Sequence, residues 1–183
     1  KSTLPNSISV YSHEETGNWV SYQRDIQFKK WCKNQDINWY EYQQHGVQRP
    51  IFDRDGWSYE WNKFMNLPKI EVSKNIKFFS FDYLFDLIDI KKIGKHITHT
   101  YIQKGGREAG LNLLDSFLET RGKNYSKEMS SPLTAITSCS RLSPYLTFGN
   151  LSVREVYKIA KAKRDKLKGI TNVGAWRSSI SSF

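Results

Sequence analysis

The sequence predicts a chain of mixed α/β and α class, made of the end of an α/β domain, a long connection and the opening helices of an all-α domain. Three observations lead to this fold class. The first 46 residues have a strand–helix–strand pattern, and residues 47–104 are irregular and rich in aromatic side chains. Helical periodicity dominates in residues 105–183.

The strand–helix–strand pattern begins at residues 7–11, which alternate apolar and polar side chains as half-buried strands do. Residues 24–33 are predicted to be a helix because apolar side chains recur at helical spacing; they are Phe28, Trp31 and Cys32. Residues 38–42 are predicted to be a second strand. Strand, helix and strand within about 35 residues form the unit of a parallel sheet. Since one such unit leaves its sheet edges bare, we expect it to end a larger α/β domain.

Residues 47–104 are interpreted as a connection between two domains. One short amphipathic helix is predicted in it from apolar side chains at i, i+4, i+7 and i+8, namely Trp57, Trp61, Phe64 and Met65. His96 and His99 also have helical spacing, but no cysteine or acidic residue accompanies them. No metal site is therefore predicted.

Two helices are predicted after residue 105. Leucine and phenylalanine side chains at 111, 114, 117 and 118 mark the buried face of the first, and Gly122 follows where a C-cap glycine is expected. Ser152 and Glu155 have the spacing of a capping box, in which each side chain accepts from the other residue's backbone N–H. The second helix is therefore predicted to begin at Val153.

The charge is strongly positive, with a formal net charge of +10 at pH 7. Residues 105–183 carry 13 basic and six acidic side chains, so most of the excess lies there. Such a surplus is compatible with nucleic acid, with a phosphate-bearing cofactor, or with a plain solvated basic face.

The location expected for the protein is the cytoplasm, without contact to a membrane. No apolar run approaches the roughly 18 residues that a membrane helix needs. The first residues lack the apolar region of a signal peptide. The two cysteines, Cys32 and Cys139, lie far apart in unlike contexts, which fits a reducing compartment better than a disulfide framework.

The segment with the clearest chemistry is residues 137–146, TSCSRLSPYL. Ser143 is a good N-cap residue and Pro144 suits the first helical position. The start of a capped helix presents unpaired backbone N–H groups to an anion. Four hydroxyl side chains and Arg141 lie in this segment before Pro144 and add donors without adding negative charge. The residues themselves leave two interpretations open: a phosphate or pyrophosphate site, or a hydroxyl-rich cap with no ligand.

A resemblance to a known family favours the first interpretation. Four segments occur in the order found in the FAD-binding helical domain of the cryptochrome/photolyase family: 105–111 (GGREAGL), 121–125 (RGKNY), 140–146 (SRLSPYL) and 151–157 (LSVREVY). Residues 12–17 (SHEETG) resemble part of the last βαβ unit of that family's Rossmann-like antenna domain. The implied organisation is the end of the antenna domain at 1–46, a connector at 47–104 and the first part of the helical FAD-binding domain at 105–183.

The resemblance implies FAD as the cofactor and six residues that bind its diphosphate: Tyr125, Cys139, Ser140, Arg141, Leu142 and Ser143. The tyrosine would pack on the phosphate–ribitol side of the cofactor. The two serine hydroxyls and the backbone N–H groups of Arg141 and Leu142 would donate to phosphate oxygens.

Two departures from the family pattern concern this site. Cys139 stands where photolyases usually have threonine, and a thiol is a weaker donor than a hydroxyl. The gap after Tyr125 is two residues longer than the family's, so Thr137 and Ser138 are alternative donors.

The activity implied by the resemblance is light-driven repair of DNA by a photolyase, a carbon–carbon lyase with damaged DNA as its partner. We expect the chain to be a fragment of such a protein, inactive by itself, monomeric and without a catalytic residue of its own. An antenna chromophore is implied near Glu14 and Glu15. Two alternatives stay open: a cryptochrome-type blue-light photoreceptor, and a non-enzymatic phosphate- or nucleic-acid-binding module.

Overall fold

The structure, a computed structural model, describes residues 8–49, 55–77 and 102–182. Within these ranges, no helix is both long enough and apolar enough to cross a bilayer. His96 and His99 lie outside the described residues.

The chain divides into two compact units, Lys1–Leu67 and Pro68–Phe183. The limits predicted at residues 46 and 105 stay predictions.

The first unit begins with a strand β1 (Ser9–His13), a helix α1 (Trp19–Asn34) and a strand β2 (Asn38–Tyr42). The two strands pair in parallel, in a register that sets Ser9 opposite Asn38. The predicted βαβ unit and its parallel pairing are therefore confirmed. β2 has the predicted limits, whereas β1 lies two residues later than predicted.

α1 begins at Trp19. The sequence predicted a later start, at residue 24. Asn18 caps it, because its side-chain oxygen accepts a hydrogen bond from the backbone N–H of Ser21 at 3.0 Å. Trp19 and Val20 in the first turn are exposed. The extra turn has no fully buried residue, and hydrophobic spacing gives no signal for it.

One face of the two-stranded sheet packs against α1. The Phe28 ring meets Trp39 edge-on at 5.1 Å between centroids, and the Trp39 indole N–H donates to the Ser12 hydroxyl at 2.9 Å. Three exposed side chains with stacked rings lie on the opposite face: Tyr11, Tyr40 and Tyr42. The α/β class of this unit is confirmed, whereas its membership of a Rossmann-like antenna domain stays a prediction.

Helix α2 (Trp57–Asn66) completes the first unit, as predicted from its spacing of apolar residues. Met65 is buried, and the Trp61 ring lies directly against Gly46. A side chain at Gly46 would overlap that ring, so the close approach requires glycine.

The second unit is helical. Its elements in residues 102–182 are α3 (Arg107–Glu119), a 3-10 turn (Arg121–Asn124), α4 (Tyr125–Glu128), α5 (Ala135–Ser138), α6 (Ser143–Thr147), α7 (Val153–Lys166) and α8 (Gly174–Ser182). Its core includes Leu114, Phe117 and Leu118 from the predicted apolar face of α3. These pack with buried residues of the later helices and loops, among them Leu142, Tyr145, Leu151, Val156 and Ile180.

The predicted role of Gly122 as the C-cap of α3 is wrong. α3 ends at Glu119 with Thr120 at its C-cap, and Gly122 lies buried inside the 3-10 turn. A Cβ atom on Gly122 would lie 2.7 Å from the carbonyl oxygen of Phe117. Glycine is needed here because the turn passes close to the backbone of α3, not because the helix ends in a left-handed residue.

The predicted capping box at α7 is also wrong, although α7 begins at Val153 as expected. Ser152 makes no side-chain cap hydrogen bond. The Glu155 carboxylate instead accepts two hydrogen bonds from the Arg107 guanidinium, at 2.8 and 2.6 Å. Those bonds lower the pKa of Glu155, against the opposing effect of burial, and the charge of Lys69 lowers it further.

The first prediction concerns Gly110 in α3, which lies under Tyr145 and Leu151 of the core. Gly110→Ala would place a Cβ 2.9 Å from the Tyr145 ring and 3.0 Å from the Leu151 methyl. In an open helix this change stabilises by about 1 kcal/mol. Here we expect overpacking to reverse the sign and to lower the free energy of unfolding by about 1–2 kcal/mol.

Urea denaturation of both variants measures the effect. Gly174→Ala is the matched control, because no atom lies within 4 Å of its Cβ position. It should leave stability unchanged or raise it. A Gly110→Ala variant as stable as the control would contradict the tight packing of α3 on the core.

The second prediction follows from the ion pair of Glu155 and Arg107. Because folding lowers the pKa of Glu155, its carboxylate stabilises the fold above the unfolded-state pKa, about 4.3. That contribution is lost as the pH falls through the lower, folded-state pKa. We expect Glu155→Gln to destabilise the protein at pH 7 and to approach wild-type stability only at an acid pH below the folded-state pKa of Glu155. Urea midpoints at both pH values measure this, with exposed Glu108→Gln on α3 as control; equal losses at both pH values for Glu155→Gln would contradict it.

Candidate functional site

The predicted site segment, 139–143, contains two successive residues of opposite hand. Arg141 has a φ of +60°, in the left-handed region, and Leu142 is right-handed with a φ of −85°. A pair of this kind turns successive backbone N–H groups towards one point and forms a concave anion site called a nest. Holding a non-glycine residue in this region costs about 1 kcal/mol, and such strain often marks a functional site.

The backbone N–H groups of this segment have no acceptor in the described part of the chain. The four groups are those of Ser140, Arg141, Leu142 and Ser143. Backbone N–H groups away from bulk water are nearly always paired, so a row of free donors is available to water or to an anion.

The carbonyl groups of the same segment are held by two side chains. The Arg121 guanidinium donates to the carbonyl of Cys139 at 2.6 Å, and at longer range to the carbonyls of Thr137 and Ser140. The Gln103 amide donates to the carbonyl of Arg141 at 2.9 Å. Sequence reasoning missed both residues as parts of the site, because nothing local links them to a loop so far along the chain.

Arg121 is partly buried, and its other hydrogen bonds go to α3. It donates to the Ser116 hydroxyl at 2.8 Å and to the Leu113 carbonyl at 3.0 Å. Burial lowers the pKa of this guanidinium, and the nearby positive charge of Arg141 lowers it further. Two cations therefore lie at this site, and a bound anion would offset the cost of bringing them together.

The predicted N-cap role of Ser143 is wrong. The N-cap residue of α6 is Leu142, whose carbonyl accepts from the backbone N–H of Leu146 at 3.1 Å. Ser143 is already helical, so its hydroxyl makes no cap hydrogen bond and is exposed. The right-handed conformation of Leu142 moves the helix start one residue towards the N-terminus. Pro144 is therefore the second helical residue, whereas the sequence predicted it to be the first, although it still lies in the first turn.

Tyr125 and the segment 139–143 belong to the same unit, but no hydrogen bond joins them among the described residues. The Tyr125 ring packs edge-on against Phe117 with 5.6 Å between centroids. At the next residue, the backbone N–H of Ser126 donates to the buried Ser179 hydroxyl at 3.2 Å. The structure thus places Tyr125 at the edge of the core.

The alternative donors Thr137 and Ser138 have hydroxyls that bond to the protein. Thr137 donates to the carbonyl of Thr134 at 2.9 Å. Ser138 is buried and donates to the Glu128 carboxylate. The Cys139 thiol is partly buried. Ser140 and Ser143 therefore have the hydroxyls that remain available in this segment.

Glu14 and Glu15 line a cavity of about 360 Å³ in the first unit, beyond the end of β1. The Glu15 carboxylate accepts from the backbone N–H of Gly17 at 2.6 Å and from Arg24 at 3.4 Å. Asp25 and Trp39 also line this cavity. Glu15 is thus engaged with the protein, and the implied antenna chromophore stays a prediction.

Comparison of the chain with models of protein families finds no match. Comparison with curated proteins finds no match either.

The third prediction tests the left-handed conformation of Arg141. Glycine adopts this region freely, so Arg141→Gly should keep the loop geometry and change the free energy of unfolding by less than about 1 kcal/mol. Arg141→Val should cost at least about 1 kcal/mol more than the glycine variant, because a β-branched residue is strongly disfavoured there. Thermal unfolding of the two variants gives the comparison. Equal stability would mean that residue 141 is not left-handed.

Proposed function

We propose that this chain provides the diphosphate part of an FAD site in a flavoprotein of the cryptochrome/photolyase family. The observation that supports this proposal is the nest at Arg141 and Leu142, with its row of free N–H groups. It coincides with the segment that the family resemblance assigns to the FAD phosphates. Motif order and backbone geometry thus lead to the same segment: the free N–H groups belong to residues 140–143, within the segment 139–143 that the resemblance assigns.

The residues present fit a phosphate group. Backbone N–H groups of residues 140–142 are suited to donate to phosphate oxygens, and the free hydroxyls of Ser140 and Ser143 are further donors. Arg121 has carbonyls and a hydroxyl as its partners in the described part of the chain, rather than carboxylates. Its positive charge is thus not neutralised by an acidic side chain of the residues that the structure describes.

For the whole protein we propose light-driven repair of pyrimidine dimers in DNA, with this chain as a cofactor-binding part. A flavin supplies the photochemical electron when it is bound; the residues of this chain bind and orient its phosphates. The excess of basic residues in 105–183 supports a polyanionic partner. We propose the cytoplasm as the location and a monomer as the state of the protein.

The cryptochrome alternative shares the same FAD site and differs in its signalling partner. The non-enzymatic alternative predicts binding of phosphate without a flavin, so flavin absorbance near 450 nm in the purified parent protein would eliminate it.

The fourth prediction is that the chain recognises the phosphates of FAD and not its ring. We expect FAD and ADP to bind with similar dissociation constants, weaker than roughly micromolar because one wall of a pocket preorganises little of the ligand. Riboflavin, which lacks phosphate, should bind at least tenfold more weakly. Flavin fluorescence and calorimetric titration measure the three constants. Riboflavin binding as tight as FAD binding would contradict the proposal.

Ser143 variants provide matched controls for that measurement. Because Ser143 is exposed and caps no helix, Ser143→Ala and Ser143→Asp should both keep wild-type stability within about 0.5 kcal/mol. The aspartate repels phosphate, so Ser143→Asp should weaken FAD binding by about tenfold or more. Unchanged FAD affinity in Ser143→Asp would mean that the diphosphate lies elsewhere.

A further inference from the structure

The carbonyl groups held by Arg121 determine where the N–H groups of the nest point. In a planar trans peptide, the carbonyl of one residue and the N–H of the next point in opposite directions. The carbonyls of Cys139 and Ser140 face Arg121. The N–H groups of Ser140 and Arg141 must therefore face away from Arg121.

Gln103 has the same effect on the next peptide group. Its amide donates to the carbonyl of Arg141, so the N–H of Leu142 points away from Gln103. Three consecutive peptide groups thus have a protein donor on the carbonyl side and a free N–H on the other side. Two of those protein donors come from one guanidinium, and the third is neutral.

The charge of Arg121 also strengthens these donors. A cation on the carbonyl oxygen polarises the peptide group and makes its N–H a better donor, as in other hydrogen-bond chains. Arg121 is partly buried and has no carboxylate partner among the described residues, so its field is screened less than that of a fully exposed arginine. In the two peptide groups whose carbonyls face Arg121, the N–H therefore has a larger partial positive charge, and it lies on the opposite side of the loop.

From this geometry we propose that Arg121 is a positioning residue for the anion, acting through the peptide groups of residues 139–141 without touching the ligand. The inference rests on the proposed function, since it concerns the same phosphate site. It adds that the affinity for a phosphate chain depends on the charge of Arg121, which lies on the carbonyl side of the loop, towards α3. Gln103 makes the same kind of contact to the Arg141 carbonyl without a charge.

The test uses inorganic pyrophosphate as the probe and four variants of the chain. Arg121→Met removes the fork and the charge, Arg121→Lys keeps the charge with fewer donors, and Gln103→Leu removes only the neutral donor. Arg177→Met removes an arginine that is exposed on α8 and serves as the matched control. Circular dichroism checks that each variant is folded, and calorimetry gives the dissociation constants at 50 and 200 mM salt.

We expect Arg121→Met to weaken pyrophosphate binding by about tenfold or more and to reduce its salt dependence. Arg121→Lys and Gln103→Leu should bind more weakly than wild type with the salt dependence retained. Arg177→Met should match wild-type affinity at 200 mM salt. A purely structural role of Arg121 would lower stability in the folded variants without changing the salt dependence of binding.

Amide NMR of the ligand-free chain gives a second measurement. The amide proton shifts of Ser140 and Arg141 should move in Arg121→Met and Arg121→Lys, and adding guanidinium chloride at low concentration should partly restore binding to Arg121→Met. If Arg121→Met does not fold, Arg121→Lys with wild-type shifts and wild-type affinity would still overturn the proposal.

The outcomes separate this inference from the proposed function. Folded Arg121→Met with wild-type affinity for pyrophosphate and FAD would overturn the role of Arg121 and leave the FAD site standing. If the wild type binds pyrophosphate but not FAD, and Arg121→Met loses pyrophosphate binding, the role of Arg121 would be supported and the proposed FAD site overturned. Wild type that binds neither ligand would overturn both.

Discussion

The hydrogen bonds of Arg121 are the constraint on which the helical unit's site depends. One partly buried guanidinium joins the C-terminal part of α3 to a loop that follows it by some twenty residues, through the carbonyls of Leu113 and Cys139. Five donors in a fixed planar fork suit this task, because several carbonyls can be held at once. The loop conformation therefore depends on the position of α3, and α3 in turn is fixed by its apolar face in the core.

The core and the proposed binding site share residues in this unit. Leu142 is one of the most buried side chains, and its backbone forms half of the nest. Its burial fixes the backbone on the side of α6, while Arg121 and Gln103 fix the preceding peptide groups. A left-handed arginine is thus held from both directions, which is how a strained conformation persists without glycine. The site is preorganised by the core rather than by the ligand.

Two local signals failed because each residue makes a different contact from the one predicted. Gly122 has the sequence position of a C-cap, and Glu155 has that of a capping box. The turn at Gly122 passes against the Phe117 carbonyl, and the Glu155 carboxylate pairs with Arg107 from another helix. A bidentate, charge-assisted pair is stronger than a hydrogen bond to a neutral N–H, so the Glu155 carboxylate binds Arg107 rather than the backbone N–H of Ser152. The failed N-cap prediction for Ser143 has another reason: because Leu142 is right-handed, the helix begins one residue earlier.

The sequence by itself determined the βαβ unit, the helix at Trp57 and the apolar face of α3, because hydrophobic periodicity reflects burial directly. The start of α7 was also predicted correctly, but from a capping box that does not form. The sequence also singled out the segment 139–143 as a candidate anion site, and that assignment stays a prediction. Only the tertiary structure decided how that segment is built. Arg121 contacts the Cys139 carbonyl 18 positions away, and Gln103 contacts the Arg141 carbonyl 38 positions away. No local propensity encodes such pairs, nor the left-handed conformation of Arg141. Distant partners are selected by packing of the whole unit, which periodicity along one element does not contain.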